Sequence, residues 1–299
     1  MSLTGNCDLC GSENITKITL SLSKHDGKIG FTPSASDFGI FYPLAKCKDC
    51  DVIFSIINNK EVEIRRFYTE SKDDIYLSQS AQRTLTGKAV LSHIKPFIPE
   101  NGRILDIGCS YGLFLQSARD SGLQVFGVEL SKDACRHCTQ SLGLNVYCGE
   151  LEHATFHENF FDAIVAIEVI EHVDNPDNFI ADIQRILKPG GILYLVTPNT
   201  QSLSGKLLGY RWWSYRRMHL YYFSKNSLSK FLRKKNFSIM HTAPYKKTFT
   251  IKYILHHLLN IERLIKLKPF FIWLDSLSWI TTLHFTASFG DIAVTAKKQ

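Results

Sequence analysis

In the last two thirds of the chain, two kinds of apolar pattern alternate. Residues 103–107, 161–167 and 192–197 are short runs that are apolar at almost every position, as in strands buried on both faces. Between the last two runs, residues 176–187 carry apolar side chains at the three- and four-residue intervals of an amphipathic helix. Strands that alternate with helices predict an α/β fold with a largely parallel sheet.

The first of these strands ends in a glycine turn, within the sequence ILDIGCSYG at residues 104–112. Gly108 and Gly112 lack a Cβ, so the backbone can turn sharply and approach a ligand closely. Their spacing is not the G-x-G-x-x-G that receives a pyrophosphate on a helix N-terminus. Asp106 stands two residues before the first glycine, where a carboxylate repels a pyrophosphate and attracts a cation.

This turn resembles motif I of the class I S-adenosylmethionine (SAM) methyltransferases, whose cofactor carries an ammonium and a sulfonium group. The resemblance implies SAM as the cofactor and a Rossmann-like, seven-stranded methyltransferase sheet with helices on both faces. It also implies a set of turn residues that contact the cofactor: Asp106, Gly108, Cys109, Ser110 and Gly112. The chain departs from the family pattern at Ser110, where a glycine is usual.

Acidic residues follow two further strands. Glu129 lies 21 residues beyond Gly108, close to the interval of about 20 residues at which a carboxylate binds ribose hydroxyls in nucleotide folds. Leu130, next in the chain, is predicted to lie beside the cofactor with it. Glu168, at the end of the strand at residues 161–167, is a further predicted cofactor contact.

The strand predicted at residues 144–148 leads to another acidic position. Family members often place an acidic residue here to accept a hydrogen bond from the adenine amino group. The resemblance therefore implies Glu150 for that role, with Leu151 packing on the ring and Glu152 as a competing choice.

Two longer motifs extend the resemblance. The sequences FDAIVAIEVIEHV from residue 161 and LKPGGILYLVTPN from residue 187 closely resemble the small-molecule branch of the class I family, including the ubiquinone-pathway O-methyltransferases. The likeness covers about residues 103–199 and continues more weakly to the end. If the family pattern holds, residues 291–296 close the sheet as its last, antiparallel strand.

Four cysteines form two C-x-x-C pairs near the start of the chain. Cys7, Cys10, Cys47 and Cys50 have the pairwise spacing of two zinc knuckles, which predicts a structural Zn²⁺ and a small β module at residues 1–60. Strands are expected at residues 15–22 and 38–44. The other C-x-x-C, Cys135 to Cys138, lies in a predicted helix without a partner pair, and we interpret it as unrelated to metal.

The rest of the chain completes a three-part organisation. Residues 61–100 are predicted to form a helical connector, and residues 101–299 the SAM-dependent methyltransferase domain. Within that domain, residues 200–222 and 246–289 are interpreted as insertions on the acceptor side. The helical stripe at residues 250–285 is predicted to be a lid, a dimer face or a membrane-surface element.

Two histidines are candidate general bases for an acceptor hydroxyl, since a neutral imidazole can take a proton at cellular pH. His172 follows the strand at residues 161–167. His219 begins an H-x-x-x-F-S sequence, with Phe223 and Ser224, that family members often carry. Each histidine has a purely structural alternative, as a residue that hydrogen-bonds backbone.

The predicted reaction is methyl transfer from SAM to a small hydroxylated acceptor. A zinc module before a methyltransferase domain resembles enzymes of bacterial deoxysugar and surface-polysaccharide pathways. That resemblance implies O- or C-methylation of a sugar nucleotide or lipid-linked glycan. Alternatives are a zinc-containing RNA methyltransferase, a quinone or lipid O-methyltransferase at the membrane surface, and a noncatalytic SAM-fold binding protein.

Net charge and the absence of certain motifs argue against some of these alternatives. The formal net charge of +7 is mild for a nucleic-acid-binding protein, and the Asn/Asp-Pro-Pro-aromatic tetrapeptide of base-modifying enzymes is missing after the strand at residues 161–167. The first 17 residues lack the apolar core of a signal peptide, and no apolar run reaches the roughly 18 residues of a membrane span. We therefore expect a cytoplasmic enzyme. The sequence leaves its oligomeric state open.

Overall fold

A computed structural model of the 299-residue chain describes residues 6–7, 9–18, 41–57, 69, 76–77, 79–251 and 283–299. Its main sheet has seven strands: β4 (Arg103–Ile107), β5 (Gln124–Glu129), β6 (Val146–Cys148), β7 (Phe161–Ile167), β8 (Leu187–Pro198), β10 (Phe237–Pro244) and β13 (Asp291–Lys298). Their spatial order is β10-β13-β8-β7-β4-β5-β6.

Six of the seven strands run in the same direction, and β13 runs antiparallel to them. β4 pairs in parallel with both β5 and β7, and β13 pairs antiparallel with β8 and with β10. The predicted seven-stranded methyltransferase sheet, including its last antiparallel strand, is therefore confirmed. The carboxyl ends of the parallel strands meet at one edge, where an open α/β sheet binds its ligands.

Helices pack beside this sheet, and several of them begin at a serine or asparagine side chain that caps the first turn. They are α1 (Ser80–Ile94), α2 (Leu113–Asp120), α3 (Lys132–Arg136), α4 (Pro176–Ile186), α5 (Leu203–Leu208) and α6 (Lys225–Lys234). Ser131 accepts from the Ala134 amide at the start of α3, as expected from the sequence. Ser224 and Ser227 cap each other's backbone at the start of α6.

A second, four-stranded sheet contains the first strands of the chain. It consists of β1 (Ile15–Ile18), β2 (Leu44–Cys47), β3 (Ile53–Ser55) and β9 (Tyr221–Tyr222), in that spatial order. In the described part of the second predicted strand, residues 41–43 are not in a strand, and β2 begins at Leu44, where the prediction ended. The apolar run at residues 38–44 misled that prediction, whereas the pairing of β2 with β1 and β3 decides the observed strand.

Two further boundaries differ from the sequence analysis. β8 begins at Leu187 and not at residue 192, because the backbone of the glycine-rich segment continues the strand. β11 (Lys247–Thr250) and β12 (His284–Ala287) form an antiparallel pair at the two ends of the segment that was predicted to be helical. Most of the apolar stripe at residues 250–285 lies outside the described residues. Within the described part of the chain, no helix combines the length and the hydropathy needed to cross a membrane.

Candidate active site

One large cavity lies at the carboxyl ends of the parallel strands and has a volume of about 1200 Å³. It is lined by most of the residues singled out from the sequence: Asp106, Gly108, Cys109, Ser110, Glu129, Leu130, Glu150, Leu151, Glu168, His172 and His219. We call the part around Asp106, Ser110, Glu129 and Glu150 the cofactor half. The part around Glu168, His172, His219 and Lys247 is the acceptor half.

The glycine turn after β4 needs three left-handed backbone positions. Gly108, Ser110 and Gly112 have φ angles of +73°, +48° and +75°. A Cβ at Gly108 would lie 2.8 Å from Val169 Cγ2, so this glycine also permits a close approach. Gly112 is not among the residues that line the cavity, and it precedes α2 in the left-handed conformation that the turn requires.

Two buried carboxylates face the cavity from the cofactor half. The Glu129 oxygens accept from the Ser110 amide at 2.7 Å and the Ser131 amide at 2.8 Å, which leaves each oxygen a further lone pair. Burial raises the pKa of Asp106 well above its usual value, and the nearby charge of Glu129 adds to the increase. A ligand with hydroxyl donors and a positive charge offsets both the burial of these carboxylates and the repulsion between them. These residues therefore fit a bound SAM molecule.

The far end of the cofactor half contains the predicted adenine contacts. Leu151 is buried, whereas the side chains of Glu150 and Glu152 are 21% and 51% exposed. All three line the cavity. The more enclosed Glu150 is therefore better placed than Glu152 for the adenine role that the family resemblance implies.

The two candidate histidines meet in the acceptor half. Their ring centroids are 4.7 Å apart in an edge-to-face arrangement. His172 Nδ1 donates to the Met218 carbonyl oxygen at 2.8 Å, and His219 Nδ1 donates to the Ser214 carbonyl oxygen at 2.7 Å. Because a carbonyl only accepts, each neutral ring carries its lone pair on Nε2.

Burial keeps both histidines neutral. It lowers the pKa of His172 to about 4, and it lowers the pKa of His219 well below the usual value, with a further contribution from His172. Glu171 lies beside the pair. A carboxylate oxygen of Glu171 and one ring nitrogen of each histidine are all within 4.8 Å of one another. Glu171 Oε2 accepts from Thr197 Oγ1 at 3.0 Å, while Oε1 has no hydrogen-bond partner among the described residues.

The acceptor half contains a partly buried ion cluster that was not predicted from the sequence. Lys247 Nζ lies 2.5 Å from Glu168 Oε1 and 3.0 Å from Asp291 Oδ2. Burial opposes the charge on Lys247, but the two carboxylates outweigh it and raise its pKa. Glu168, predicted as a cofactor contact, is thus engaged with Lys247, which lies 79 residues away in the chain. No local motif marks such a pairing, so the sequence carried no signal for it.

Helix α1 and the residues before it contribute side chains that the sequence analysis also missed. Tyr76 and Arg83 line the cavity, and the Arg83 guanidinium carbon lies 3.8 Å from the centre of the Tyr76 ring. Arg83 Nε is buried and has no hydrogen-bond partner among the described residues. The predicted connector is therefore part of the cavity wall.

The four N-terminal cysteines converge as predicted. Cys7 and Cys50 have their sulfur atoms 3.6 Å apart, and those of Cys10 and Cys47 are 3.5 Å apart. A tetrahedral zinc with Zn–S bonds of about 2.3 Å separates its sulfur atoms by about 3.8 Å, so the donor set fits zinc. The contact between Cys7 and Cys50 lowers the pKa of Cys7 to about 5 and raises the pKa of Cys50, so without a metal this pair favours one thiolate and one thiol.

Cys135, which the sequence analysis interpreted as unrelated to metal, is joined to Cys148 in a disulfide between α3 and β6. The fold brings the two Cα atoms within 5.7 Å of each other.

Comparison with known proteins agrees with this geometry. The family model described as Methyltransferase domain matches residues 79–242, more than half of the chain. The chain belongs to the methyltransferase domain family. With its glycine turn and sheet order, it is a class I SAM-dependent methyltransferase by family and fold.

Curated relatives match the central part of the chain. A ubiquinone biosynthesis O-methyltransferase of Coxiella burnetii is 34% identical over 115 residues, which are 36% of this chain and 49% of the relative. The enzyme of the same name from Maricaulis maris is 35% identical over 143 residues, which are 44% and 56% of the two chains. The chain thus spans about half the length of these relatives. Their names give no support to the sugar acceptor expected from the zinc module.

A solved structure extends the likeness of fold. A chain in the complex between the Haloferax volcanii Trm112 methyltransferase activator and a methyltransferase superposes with a TM-score of 0.55 at 15% identity. The match covers 79% of this chain and 98% of that chain. At this identity the likeness concerns the fold alone.

Proposed function

We propose that the protein transfers a methyl group from SAM to a hydroxyl group of a small acceptor. When bound, SAM supplies an electrophilic methyl group on a sulfonium. The observation that carries the proposal is the neutral histidine pair, which lines the same cavity as Asp106 and Glu129. An oxygen nucleophile needs a base for its proton, and such a base commonly contributes about 100-fold or more to the rate.

Different residues of the chain serve the cofactor and the acceptor. Asp106, Glu129 and the glycine turn bind the cofactor, and Glu150 and Leu151 receive its adenine. His172 and His219 present Nε2 lone pairs that accept the hydroxyl proton, because their Nδ1–H groups are held by carbonyls. Alignment of the two reactants supplies the rest of the acceleration, which for well-oriented groups is about 7–11 kcal/mol.

For the acceptor, we propose a planar hydroxylated ring. The cavity is also lined by Trp213, Phe249 and Phe289, and the Phe289 ring contacts the other two with centroid distances of 6.4 and 5.1 Å. Such rings stack on a flat aromatic ligand. The relatives named as ubiquinone biosynthesis O-methyltransferases support the same choice.

A second candidate acceptor is the sugar nucleotide or lipid-linked glycan predicted from the sequence. Arg211 and Arg216 also line the cavity, and guanidinium groups pair well with phosphates. The aromatic rings can also stack on a sugar.

Transfer of a labelled methyl group from SAM to a panel of acceptors tests the proposal. The panel contains catechols, quinols, nucleotide sugars and lipid-linked glycans, each with and without its free hydroxyl. We expect label on hydroxylated rings and none on their O-methylated controls. Label only on sugars would replace the ring acceptor by the second candidate, and no label with any hydroxyl compound would reject O-methylation.

A further inference from the structure

The N-terminal cysteine module, which consists of Cys7, Cys10, Cys47, Cys50 and strands β1 to β3, shares its sheet with a strand from the methyltransferase domain. β3 pairs antiparallel with β9, with Ile53 opposite Tyr222 and Phe54 opposite Tyr221. Only Leu220 separates β9 from His219 in the chain. The module is therefore hydrogen-bonded to the segment that carries a proposed base.

Ser55, the last residue of β3, makes the contacts nearest to that base. Its backbone amide donates to the Leu220 carbonyl oxygen at 2.8 Å, and its hydroxyl donates to the His219 carbonyl oxygen at 3.1 Å. Ser55 is 1% exposed and does not line the cavity. It therefore acts on the backbone of His219 and does not reach the ligands.

The same segment is bound from its other side by the turn that carries His172. The amides of Leu220 and Tyr221 donate to the Glu171 carbonyl oxygen at 2.7 and 3.2 Å. His172 in turn donates to the Met218 carbonyl oxygen. Residues 218–221 thus lie between Ser55 and the Glu171–His172 turn, and their position sets the relation of the two imidazole rings.

We propose that Ser55 is a positioning residue for the His172–His219 pair, and that the N-terminal cysteine module aligns the acceptor half through it. The inference rests on the proposed function. Ser55 is also connected to the predicted metal site through the sheet. β2, which ends at Cys47, pairs with β3, and Leu44 lies opposite Ser55. Zinc at the four cysteines would hold β2 and thereby β3.

The cofactor half has no such connection among the described residues. Ser110 and Glu129 are held by hydrogen bonds within their own stretch of chain. Disturbing Ser55 should therefore lower turnover and leave SAM affinity unchanged, a separation that general destabilisation does not produce.

The test compares three variants of the full chain. Ser55→Ala removes the hydroxyl and keeps the backbone pairing, Ser55→Thr keeps a hydroxyl, and Ser229→Ala truncates another buried serine, on α6, that does not line the cavity. We expect kcat to fall about 10-fold or more in Ser55→Ala, since small misplacement of a catalytic group is costly. Ser55→Thr should recover most of kcat, and Ser229→Ala should retain it.

Two readouts separate positioning from folding and from the proposed function. Binding of S-adenosylhomocysteine by calorimetry should stay within about two-fold in all variants, because the contacts of the cofactor half are unchanged. Imidazole ¹⁵N resonances of His219 should report a pure Nδ1–H tautomer in the wild type and a tautomer mixture in Ser55→Ala and after metal removal by a chelator. These resonances test positioning even if no acceptor is methylated.

Unchanged kcat and unchanged ¹⁵N resonances in Ser55→Ala would overturn the proposal. So would a parallel loss of kcat and cofactor affinity, or an equal loss of kcat in Ser229→Ala, because each outcome indicates a general structural role.

Discussion

The cofactor half of the cavity is built from neighbouring stretches of chain, residues 106–131 and 150–151, whereas the acceptor half takes its side chains from segments far apart in sequence. In the cofactor half, backbone amides of Ser110 and Ser131 hold the Glu129 carboxylate. In the acceptor half, His172 is held by the Met218 carbonyl and Lys247 by the carboxylates of Glu168 and Asp291, all from distant segments, while His219 is held by the nearby Ser214 carbonyl. The first arrangement is local and suits a constant ligand. The second can change with each contributing segment and suits a variable acceptor.

The strongest test of the cofactor half is Glu129→Ala. The variant removes the carboxylate proposed to bind ribose and also leaves the Ser110 and Ser131 amides without their partner. Hydrogen bonds to a charged group contribute roughly 1.5–3 kcal/mol each, so we expect the Kd for S-adenosylhomocysteine to rise about 100-fold or more. Calorimetry measures it, with the exposed Glu152→Ala as the control. Equal affinities in the two variants would contradict the ribose role.

The matching test of the acceptor half is His219→Ala beside His219→Asn. Asparagine can still donate to the Ser214 carbonyl but lacks the Nε2 lone pair. If His219 is the base, both variants lose about 100-fold in kcat and keep their cofactor affinity. If the asparagine variant remains active, the role of His219 is structural, and the same pair of variants at His172 becomes the test.

This contrast also explains what the sequence could and could not predict. The glycine turn, Glu129 and the strand order follow from local patterns that one stretch of chain contains. Both histidines were found because they stand in or beside motifs. Arg83 and Lys247 were missed, because their roles depend on contacts that only the folded chain creates. The β2 boundary failed for a related reason, since strand pairing outweighed the apolar run.

The ion cluster around Lys247 provides the next test of the acceptor half. Lys247→Met leaves Glu168 and the buried Asp291 without their counter-charge, so we expect the free energy of unfolding to fall by about 2 kcal/mol. Lys247→Arg keeps the charge and should lose less. Urea unfolding of both variants measures the difference. Equal losses would indicate that packing, and not charge, is what Lys247 contributes.

The neutral histidines predict a dependence of stability on pH. Below about pH 6.5 the unfolded chain takes up protons on its histidines, whereas burial keeps folded His172 neutral until about pH 4. Unfolding therefore becomes easier as the pH falls from about 6.5, by up to about 1.4 kcal/mol per pH unit for each histidine. Urea unfolding between about pH 7 and pH 5 measures this slope. The double variant His172→Asn/His219→Asn should have a smaller slope, and an unchanged slope would assign the pH dependence to other groups.

The smallest expected effect is in the cofactor half, at the serine that replaces the usual glycine. Ser110 has a φ of +48°, a conformation that costs a non-glycine residue about 1–3 kcal/mol. Ser110→Gly removes that cost but adds conformational freedom to the unfolded chain, worth roughly 0.4–1 kcal/mol in the opposite direction. We therefore expect a gain in unfolding free energy of about 1 kcal/mol, within a range of roughly 0–2.6 kcal/mol. Cofactor affinity should stay within about two-fold, since the residue 110 amide still donates to Glu129.

Ser110→Val should instead destabilise the protein, because a β-branched side chain tolerates this φ least. If valine proved as stable as glycine, the turn would not require a left-handed residue at position 110, and the cofactor half would be less rigid than the hydrogen bonds around Glu129 indicate.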